Sequence, residues 1–380
     1  MGMRITVYDK DRKYVGQVGV PLSLTVTPRE FPLIGTASMS VSLEDKQFAS
    51  LRAEGARVVF EKDGDHLLSG PVDEVTIDTE SNAMDITVLD DAWILRGILG
   101  WQVPGSPINS QGGAEYRTYS GKAETVVKQI VRENGVNRLR IPGLVVAPDQ
   151  GRGADVPGGA SFRMHPLPDR LYPGVEMAGI GLRVRQMGAE LVFDVHVPRT
   201  YPNTLSVEGR TIKKAVHTRR RPQASRAVIG GSGEGKARQF RAITDTQREA
   251  SHGFCGETFR DARDVNPEEL PGGAAEADTV MDARGWETLA ENGVVDGLSI
   301  TLAESSAFTY GSKGVLVGDR VPVRVRGQVI TDIVREAVIE WITPDYARAT
   351  PVIGEQVSPE VRQAKTLAAL KESQRKEERA

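Results

Sequence analysis

Apolar and small polar residues alternate with period two through the first hundred positions of the chain. Residues 22–27 and 39–43 show it most clearly, and such alternation is typical of strands with one face against a core. Asp63-Gly64 separates two further apolar segments and indicates a hairpin turn, because glycine accepts a positive φ. Five or six short strands without a helix of core length predict a small β-sandwich or barrel over residues 1–97.

A mixed α and β pattern follows over residues 98–206. Valine and isoleucine residues between positions 126 and 131 form one apolar stripe, which predicts an amphipathic helix over residues 122–132. A second helix is predicted near residues 175–187, although two glycines weaken it. A strand is predicted over residues 190–195.

Strand patterns return from about residue 211. Two segments interrupt them: a glycine loop over residues 230–235, and a segment rich in glycine and alanine over 271–292 that is either helix or loop. The last stretch of the chain is highly charged and predicts a solvated helix or a frayed end.

Two hairpin segments share a pattern that indicates an internal repeat. Four residues match four others at identical spacing: Gly55, Arg57, Val58 and Gly64 correspond to Gly318, Arg320, Val321 and Gly327. After a gap of one residue, six positions between 67 and 77 match six between 329 and 339. Either one structural part occurs twice, or two hairpins of similar turn length share the pattern by chance. The structural turn residues that the match singles out are Gly55, Gly64, Gly70, Gly318, Asp319 and Gly327.

Composition fits a globular chain of two or three domains, because 380 residues exceed the usual size of one core. The 48 basic and 51 acidic residues leave a net charge of −3, so any contact with a polyanion has to be local. Cys255 is the only cysteine, which excludes an intrachain disulfide and a multi-cysteine metal site. No stretch reaches the ~18 apolar residues of a membrane span, so we expect a soluble protein made in the cytoplasm.

Two local motifs resemble chemical sites, and structural roles are favoured for both. The string from Gly230 to Lys236 has the spacing of a phosphate-binding loop, but Ala237 stands where magnesium needs Ser or Thr, and a strand pattern follows. His252 and Cys255 offer two metal ligands or a thiol with a base, but no further ligands are grouped with them. No catalytic, cofactor-binding or metal-binding residue is predicted.

The one strong basic cluster comprises Arg219, Arg220, Arg221 and Arg226. Such a run can contact phosphates. More often it forms a solvated face or an ion-pair site between subunits, and the nearly neutral chain and the lack of interleaved aromatic residues favour these interpretations.

The order of short motifs along the chain is more informative than any one of them. They are Gly55-x-Arg57-Val58, residues 67–72, 86–91, 230–235 and 259–264, Tyr310-Gly311 and Gly318-Asp319-x-Val321. In this order the chain resembles the tail hub, or minor tail, proteins of long-tailed phages with non-contractile tails, and most of all those of actinobacteriophages. The resemblance covers about residues 35–342 and departs from the family in the long Gly/Pro loop over 148–168 and in the weak second helix.

The resemblance implies a mainly β fold with an α+β insertion. Its expected parts are a tail-tube-like β-barrel over residues 1–97, an α+β domain over 98–206, a second tail-tube-like β-barrel over 207–345, and a charged, partly helical tail over 346–380.

The resemblance also implies a structural protein of the virion, assembled in the host cytoplasm, that forms a homotrimeric ring at the distal tail tip. Two similar barrels in each of three chains would join a threefold tip to a sixfold tube. Implied partners are the distal tail protein, the tape-measure protein, and receptor-binding or other tail-tip proteins. DNA would pass through the ring without sequence-specific binding. No cofactor and no stable membrane insertion are implied.

Two alternatives belong to other functional classes. A tail-associated enzyme that cleaves the cell wall would draw on the middle segment, where His165 and His196 lie. A carbohydrate-binding module would use the faces of Trp93, Trp101, Trp286 and Trp341, although scattered tryptophans are more often core residues.

Overall fold

A computed structural model describes residues 2–156, 159–172, 174–209, 211–270, 272–302, 310–343 and 346–354. The chain is mainly β, as predicted. Its first part contains β1 (Met3–Tyr8), β2 (Tyr14–Val18), β3 (Ser23–Thr27), β4 (Thr36–Ser42), α1 (Phe48–Leu51), β5 (Arg57–Lys62), β6 (Asp65–Asp78) and β7 (Ala83–Leu89). We call these elements module 1.

The central part follows a 3₁₀ helix over Asp91–Gly97. It comprises β8 (Leu99–Gly100), a 3₁₀ turn (Ile108–Ser110), β9 (Arg117–Tyr119), α2 (Ala123–Val131), a π-helical extension (Arg132–Arg138), β10 (Leu144–Val146), β11 (Ala160–Phe162), β12 (His165–Pro166), α3 (Leu167–Leu171), α4 (Gly174–Met177), β13 (Gly181–Met187) and β14 (Glu190–His196). We call β8–β14 with α2–α4 the middle unit.

The last part contains β15 (Leu205–Ser206), β16 (Ile212–Arg220), β17 (Arg226–Gly230), a 3₁₀ turn (Gly235–Ala237), β18 (Phe240–Thr244), α5 (Thr246–His252), β19 (Glu257–Asp261), α6 (Gly273–Glu291), β20 (Val295–Leu302), β21 (Arg320–Val325), β22 (Gln328–Thr343) and β23 (Tyr346–Gly354). We call β15, β16 and β20–β23 module 2, and β17–β19 with α5 and α6 the insert.

Module 1 forms because its alternating residues place one face of each strand in a common core. In β4 the buried positions Ala37, Met39 and Val41 alternate with serines. They share one core with Phe60 of β5 and Ile86 of β7. The predicted strands of this region are therefore confirmed.

Modules 1 and 2 share one continuous sheet, whose strand order is β16-β20-β23-β22-β3-β4-β7-β6-β5-β1-β2, with β21 and β15 on a branch from β22. Over the described residues this path is open, which corrects the expectation of two closed barrels. The reason is that β22 of module 2 pairs with β3 of module 1, so the modules join each other instead of closing on themselves.

The middle unit has its own core, formed by α2 and the strands around it. The helix predicted over residues 122–132 is confirmed as α2, which continues into the π-helical segment. The helix predicted near 175–187 is wrong: α4 ends at Met177, and Gly181–Met187 is strand β13. Buried Leu182 and Val184 alternate there with less buried arginines, which is a strand pattern.

The insert is a separate small unit that the sequence did not predict. Its sheet has the order β18-β17-β19 and packs on α6, with Ile229 and Met281 in a distinct core. Helix α6 resolves the segment over 271–292, which could have been helix or loop.

The predicted domain limits stay predictions. Strand β23 pairs with β22 beyond position 345, where the charged tail was expected to begin. The rest of that tail, 355–380, lies outside the described residues. No helix in the described part of the chain has the length and apolar character needed to cross a membrane.

Candidate functional site

The two matching hairpins have the same geometry. β5 and β6 are joined by Asp63 and Gly64, with φ of 54° and 90°, and β21 and β22 by Arg326 and Gly327, with φ of 47° and 84°. Two consecutive residues with positive φ are typical of type I′ turns, whose twist suits a tight hairpin. Gly64 and Gly327 have open space around them, so backbone conformation alone favours glycine there.

The glycines that precede the hairpins are also equivalent. Gly55 has a φ of 73° and Gly318 a φ of 91°. Gly70 answers a different need, because a Cβ there would lie 1.6 Å from the Leu89 carbonyl oxygen. Asp319 is 7% exposed, and its carboxylate accepts two bonds from Arg199, at 3.1 and 2.6 Å.

The similarity extends from the hairpins to five strands of each module. The antiparallel order β3-β4-β7-β6-β5 in module 1 corresponds to β16-β20-β23-β22-β21 in module 2, and both sets occur in the same order along the chain. Both long strands also shift register at the same place, between Val72 and Glu74 and between Val334 and Glu336. A shared irregularity is a feature that chance matching of two hairpins does not produce.

The modules meet at a joint between β22 and β3. Ile339 lies opposite Val26, and Arg29 bridges to Glu336 in the same register. Arg29 Nε is 2.5 Å from Glu336 Oε2. Ala337 and Ile339 are 0% exposed, because they pack into the core of module 1. The joint is therefore a strand pairing closed by an ion pair and by two apolar side chains.

The middle unit braces this joint. Arg335 of β22 binds Glu176 and donates to Tyr172 Oη at 3.2 Å. Burial raises the pKa of the Tyr172 hydroxyl well above its usual range. Glu30, which is 7% exposed, lies 3.3 Å from His196 Nε2.

Gly318 allows module 2 to approach this pair. A Cβ on Gly318 would lie 2.2 Å from His196 Nε2 and 2.8 Å from Glu30 Oε2. The glycine found through the repeat therefore contacts the residues that brace the joint.

A buried polar network ties module 1 to the middle unit. Arg57 binds Asp91 and donates to Gln186 at 2.8 Å, and Ser69 donates to Asp91 at 2.7 Å. Burial raises the pKa of the neighbouring Asp90 carboxyl to about 7, with a contribution from Asp91. Asp90 also accepts a bond from the Ala92 amide at 2.8 Å, so it begins the 3₁₀ helix over Asp91–Gly97.

The basic cluster is divided between two sheets. Arg219 and Arg220 end β16 at the limit of the large sheet, and the Arg221 guanidinium lies 5.8 Å from the Phe254 ring. Arg226 begins β17 in the insert, where its Nε is 2.6 Å from Glu249 Oε1. Bonding to Glu249 raises the pKa of Arg226. Arg219 and Arg220 therefore lie in the terminal strand of the large sheet, and Arg221 directly follows that strand.

The other candidate motifs have local structural contacts. The glycine string joins β17 to β18, so the predicted strand after it is confirmed. His252 Nδ1 is 3.3 Å from its own helix carbonyl, that of Arg248, and Cys255 is an exposed free thiol. Among the described residues, no group of three or more His, Cys, Asp and Glu side chains is placed to hold a metal ion.

The histidines considered for a lytic role contact different partners. His165 bonds to the Arg163 amide at 3.0 Å and lies 2.9 Å from Arg170, while His196 faces Glu30. Burial lowers the pKa of His165 to about 4.

The tryptophans differ in burial. Trp93 and Trp286 are 41% and 38% exposed, so the core interpretation is wrong for these two, whereas Trp341 packs against the core of module 1. Trp101 lies under the Arg138 guanidinium at 4.4 Å.

Sequence reasoning missed the residues of the joint. Arg29 and Glu336 are 307 positions apart, so no local pattern connects them. The repeat held the only signal, because it indicates that Glu74 and Glu336 occupy equivalent places in two modules.

The chain was compared with protein families and with curated proteins. A family model described as Siphovirus ReqiPepy6 Gp37-like protein matches residues 4–355. No match was found among curated proteins.

Three solved structures resemble the chain over nearly its full length. They are the 43 kDa tail protein of prophage MuSo2 from Shewanella oneidensis (TM-score 0.54, 14% identity, covering 92% of this chain and 98% of that one), a tail protein from Neisseria meningitidis (0.52, 12%, 94% and 97%) and a prophage tail protein from Listeria monocytogenes (0.54, 12%, 97% and 99%). The chain therefore has the fold of these tail proteins.

Proposed function

This chain belongs to the Siphovirus ReqiPepy6 Gp37-like family, and from that premise we propose that it is a structural protein of a phage tail. It forms a homotrimeric hub at the distal tip of the virion tail, after assembly in the host cytoplasm, and it carries out no catalysis. The hub joins the tail tube and the end of the tape-measure protein to the distal tail protein and to receptor-binding proteins. The relation to actinobacteriophage hubs belongs to this proposal.

The duplicated module is the observation that carries the proposal. Each chain holds two modules that share the order of five strands, the hairpin turn and the register shift. Three chains would supply six equivalent modules, so a threefold hub would match a sixfold tube without a clash of symmetry. Rings of this kind close through head-to-tail interfaces.

The hub forms part of the channel through which DNA leaves. A surface that DNA only passes should hold few unpaired cations, since each contact between phosphate and Lys or Arg adds affinity. The net charge of −3 supports passage without stable binding.

The test is the mass and the position of the assembled protein. Light scattering after size-exclusion chromatography should give three times the chain mass of 41.2 kDa. Antibodies against the chain should label the tail tip of intact virions in electron micrographs. A strict monomer at high concentration, together with no labelling of the tip, would overturn the proposal.

Exposed Trp93 and Trp286 give the carbohydrate-binding alternative its one specific support, because exposed indole faces stack on sugars. A glycan array decides it. Zymography on host cell wall, with alanine at His165 and His196, decides the lytic alternative. Clearing that is lost on substitution would favour the enzyme.

A further inference from the structure

Each of the two strands that pair at the joint has an equivalent strand in the other module. Both equivalent strands lie at outer edges of the molecule, where no strand pairs with them in the described part of the chain. We propose that the joint repeats between chains: residues 73–78 of β6 pair antiparallel with β16 of the partner subunit. The partner is a second copy of this chain. This inference rests on the proposed ring and names the edges that close it.

Both edges lack a neighbouring strand in the described part of the chain. β6 pairs with β5 through position 71, and the Val72 amide still donates to the Ala56 carbonyl, so residues 73–78 have a neighbouring strand only on the β7 side. β16 pairs with β20 and ends the sheet. In module 2 the counterpart of β6 is β22, and in module 1 the counterpart of β16 is β3. These two strands are the ones that pair at the joint.

The registers of the two modules define the pairing. Val72 lies opposite Val88, as Val334 lies opposite Ile353, so positions in β6 correspond to positions 262 higher in β22. β3 pairs with β4, which pairs with β7, and β16 pairs with β20, which pairs with β23. Because β7 and β23 are equivalent, these pairings make Val26 in β3 correspond to His217 in β16.

The intrachain pair Ile339–Val26 then predicts Ile77 opposite His217 of the partner subunit. The bridge Glu336–Arg29 predicts Glu74 opposite Arg220 of the partner subunit.

Burial supports the same pairing. Ala337 and Ile339 are 0% exposed at the joint, whereas their counterparts Val75 and Ile77 are 37% and 42% exposed. Two apolar side chains on a strand with an unpaired edge form a surface that invites association with another strand. Covering it with the partner's module 2 gives Val75 and Ile77 the burial that their counterparts already have.

Charge is complementary at the same positions. The β6 edge carries exposed Asp73, Glu74 and Asp78, and β16 ends in Arg219 and Arg220, which Arg221 follows. An ion pair between Glu74 and Arg220 of the partner subunit would reproduce the ion pair between Glu336 and Arg29. Both glutamates follow the register shift of their strand at the same distance. Arg220 thereby acquires the intersubunit ion-pair role that the sequence allowed for the basic cluster.

Each chain has one edge of each kind, so copies associate head to tail and close into a ring. A charge-swap experiment tests the contact by light scattering. Glu74→Arg and Arg220→Glu should each lower the apparent association constant of the chains at least tenfold, and the double variant E74R/R220E should restore it. Glu234→Arg, in the glycine loop, is the matched control and should leave the mass unchanged.

A cysteine pair tests the register without relying on charge. Thr76→Cys combined with Thr218→Cys, in a Cys255→Ser background, places the two thiols opposite each other between subunits. At the joint, the equivalent pair of positions lies two residues along from Arg29 and Glu336. Facing side chains approach closely there. Oxidation should link chains covalently, whereas Thr76→Cys with Arg219→Cys, one residue out of register, should not link.

The outcomes separate the two proposals. A wild-type trimer in which E74R/R220E gives no recovery and the Thr76/Thr218 pair gives no cross-link overturns this contact and leaves the hub intact. A wild-type chain that stays monomeric at all concentrations overturns this contact, and if the antibodies also fail to label the tail tip, it overturns the hub as well. Circular dichroism of each variant excludes unfolding as the cause of a lost oligomer.

Discussion

The joint between the modules makes a quantitative prediction, because the same position of the repeat is buried in one module and exposed in the other. Ile339 is 0% exposed and Ile77 is 42% exposed. Ile→Ala removes three carbon atoms, worth about 0.8 kcal/mol each when buried, or about 2.4 kcal/mol in transfer alone. The cavity left at Ile339 brings the expected loss to about 2–5 kcal/mol. At Ile77 the transfer loss scales to about 1.4 kcal/mol at most, and no enclosed cavity forms.

The measurement is urea unfolding of the full chain, followed by far-UV circular dichroism at a protein concentration low enough to keep chains dissociated. Ile339→Ala should lower the midpoint clearly more than Ile77→Ala, with no change in the slope of the transition for either variant. Equal losses at the two positions would show that β22 is not packed into module 1, and the account of the joint would then be wrong.

Two further predictions concern backbone and charge. Gly64→Ala and Gly327→Ala should each destabilise the chain by about 1–2 kcal/mol, since alanine is strained at φ of 90° and 84°. Gly19→Ala is the control and should cost less, because Gly19 has open space and no positive φ. Thermal unfolding of the three variants measures the difference, and equal losses of stability in all three would refute the turn assignment. Asp90→Asn should stabilise the chain relative to wild type increasingly as pH rises from about 4 to 7, because the pKa of this carboxyl is about 7 in the folded chain and 3.8 in its ordinary state. Between these values the unfolded chain releases a proton that the folded wild type retains, so the wild type loses stability as the pH rises. Urea midpoints across that range measure the difference, and a difference independent of pH would contradict the burial of Asp90.

The sequence predicted module 1 well because its strands bury one face, so that Ala37, Met39 and Val41 alternate with serines. The insert escaped prediction because its two edge strands, β18 and β19, depart from that rule, although its central strand β17 buries Ala227 and Ile229. Phe240 and Phe259 are more than half exposed, while Arg241 and Arg260 point toward α6 and pair with its acidic residues. Alternation was present, but the polar residues were on the covered face.

The joint could not be predicted from local patterns for another reason. Val26 and Ile339 belong to strands more than 300 positions apart, and pairing at that separation leaves no periodic trace in either segment. The repeated turns did leave a trace, since two consecutive residues with positive φ favour glycine wherever they occur. Gly64 and Gly327 were therefore identified, although the contacts they help to position were not.

The insert has one more consequence, which follows from where its two ends lie. It leaves module 2 after Arg220 and returns at Val295, and these residues are opposite each other in neighbouring strands. The corresponding connection in module 1 needs only residues 28–35. Because so few residues suffice to connect these two strands, the insert can be exchanged for another small domain during phage evolution while the strands on either side of it keep their register.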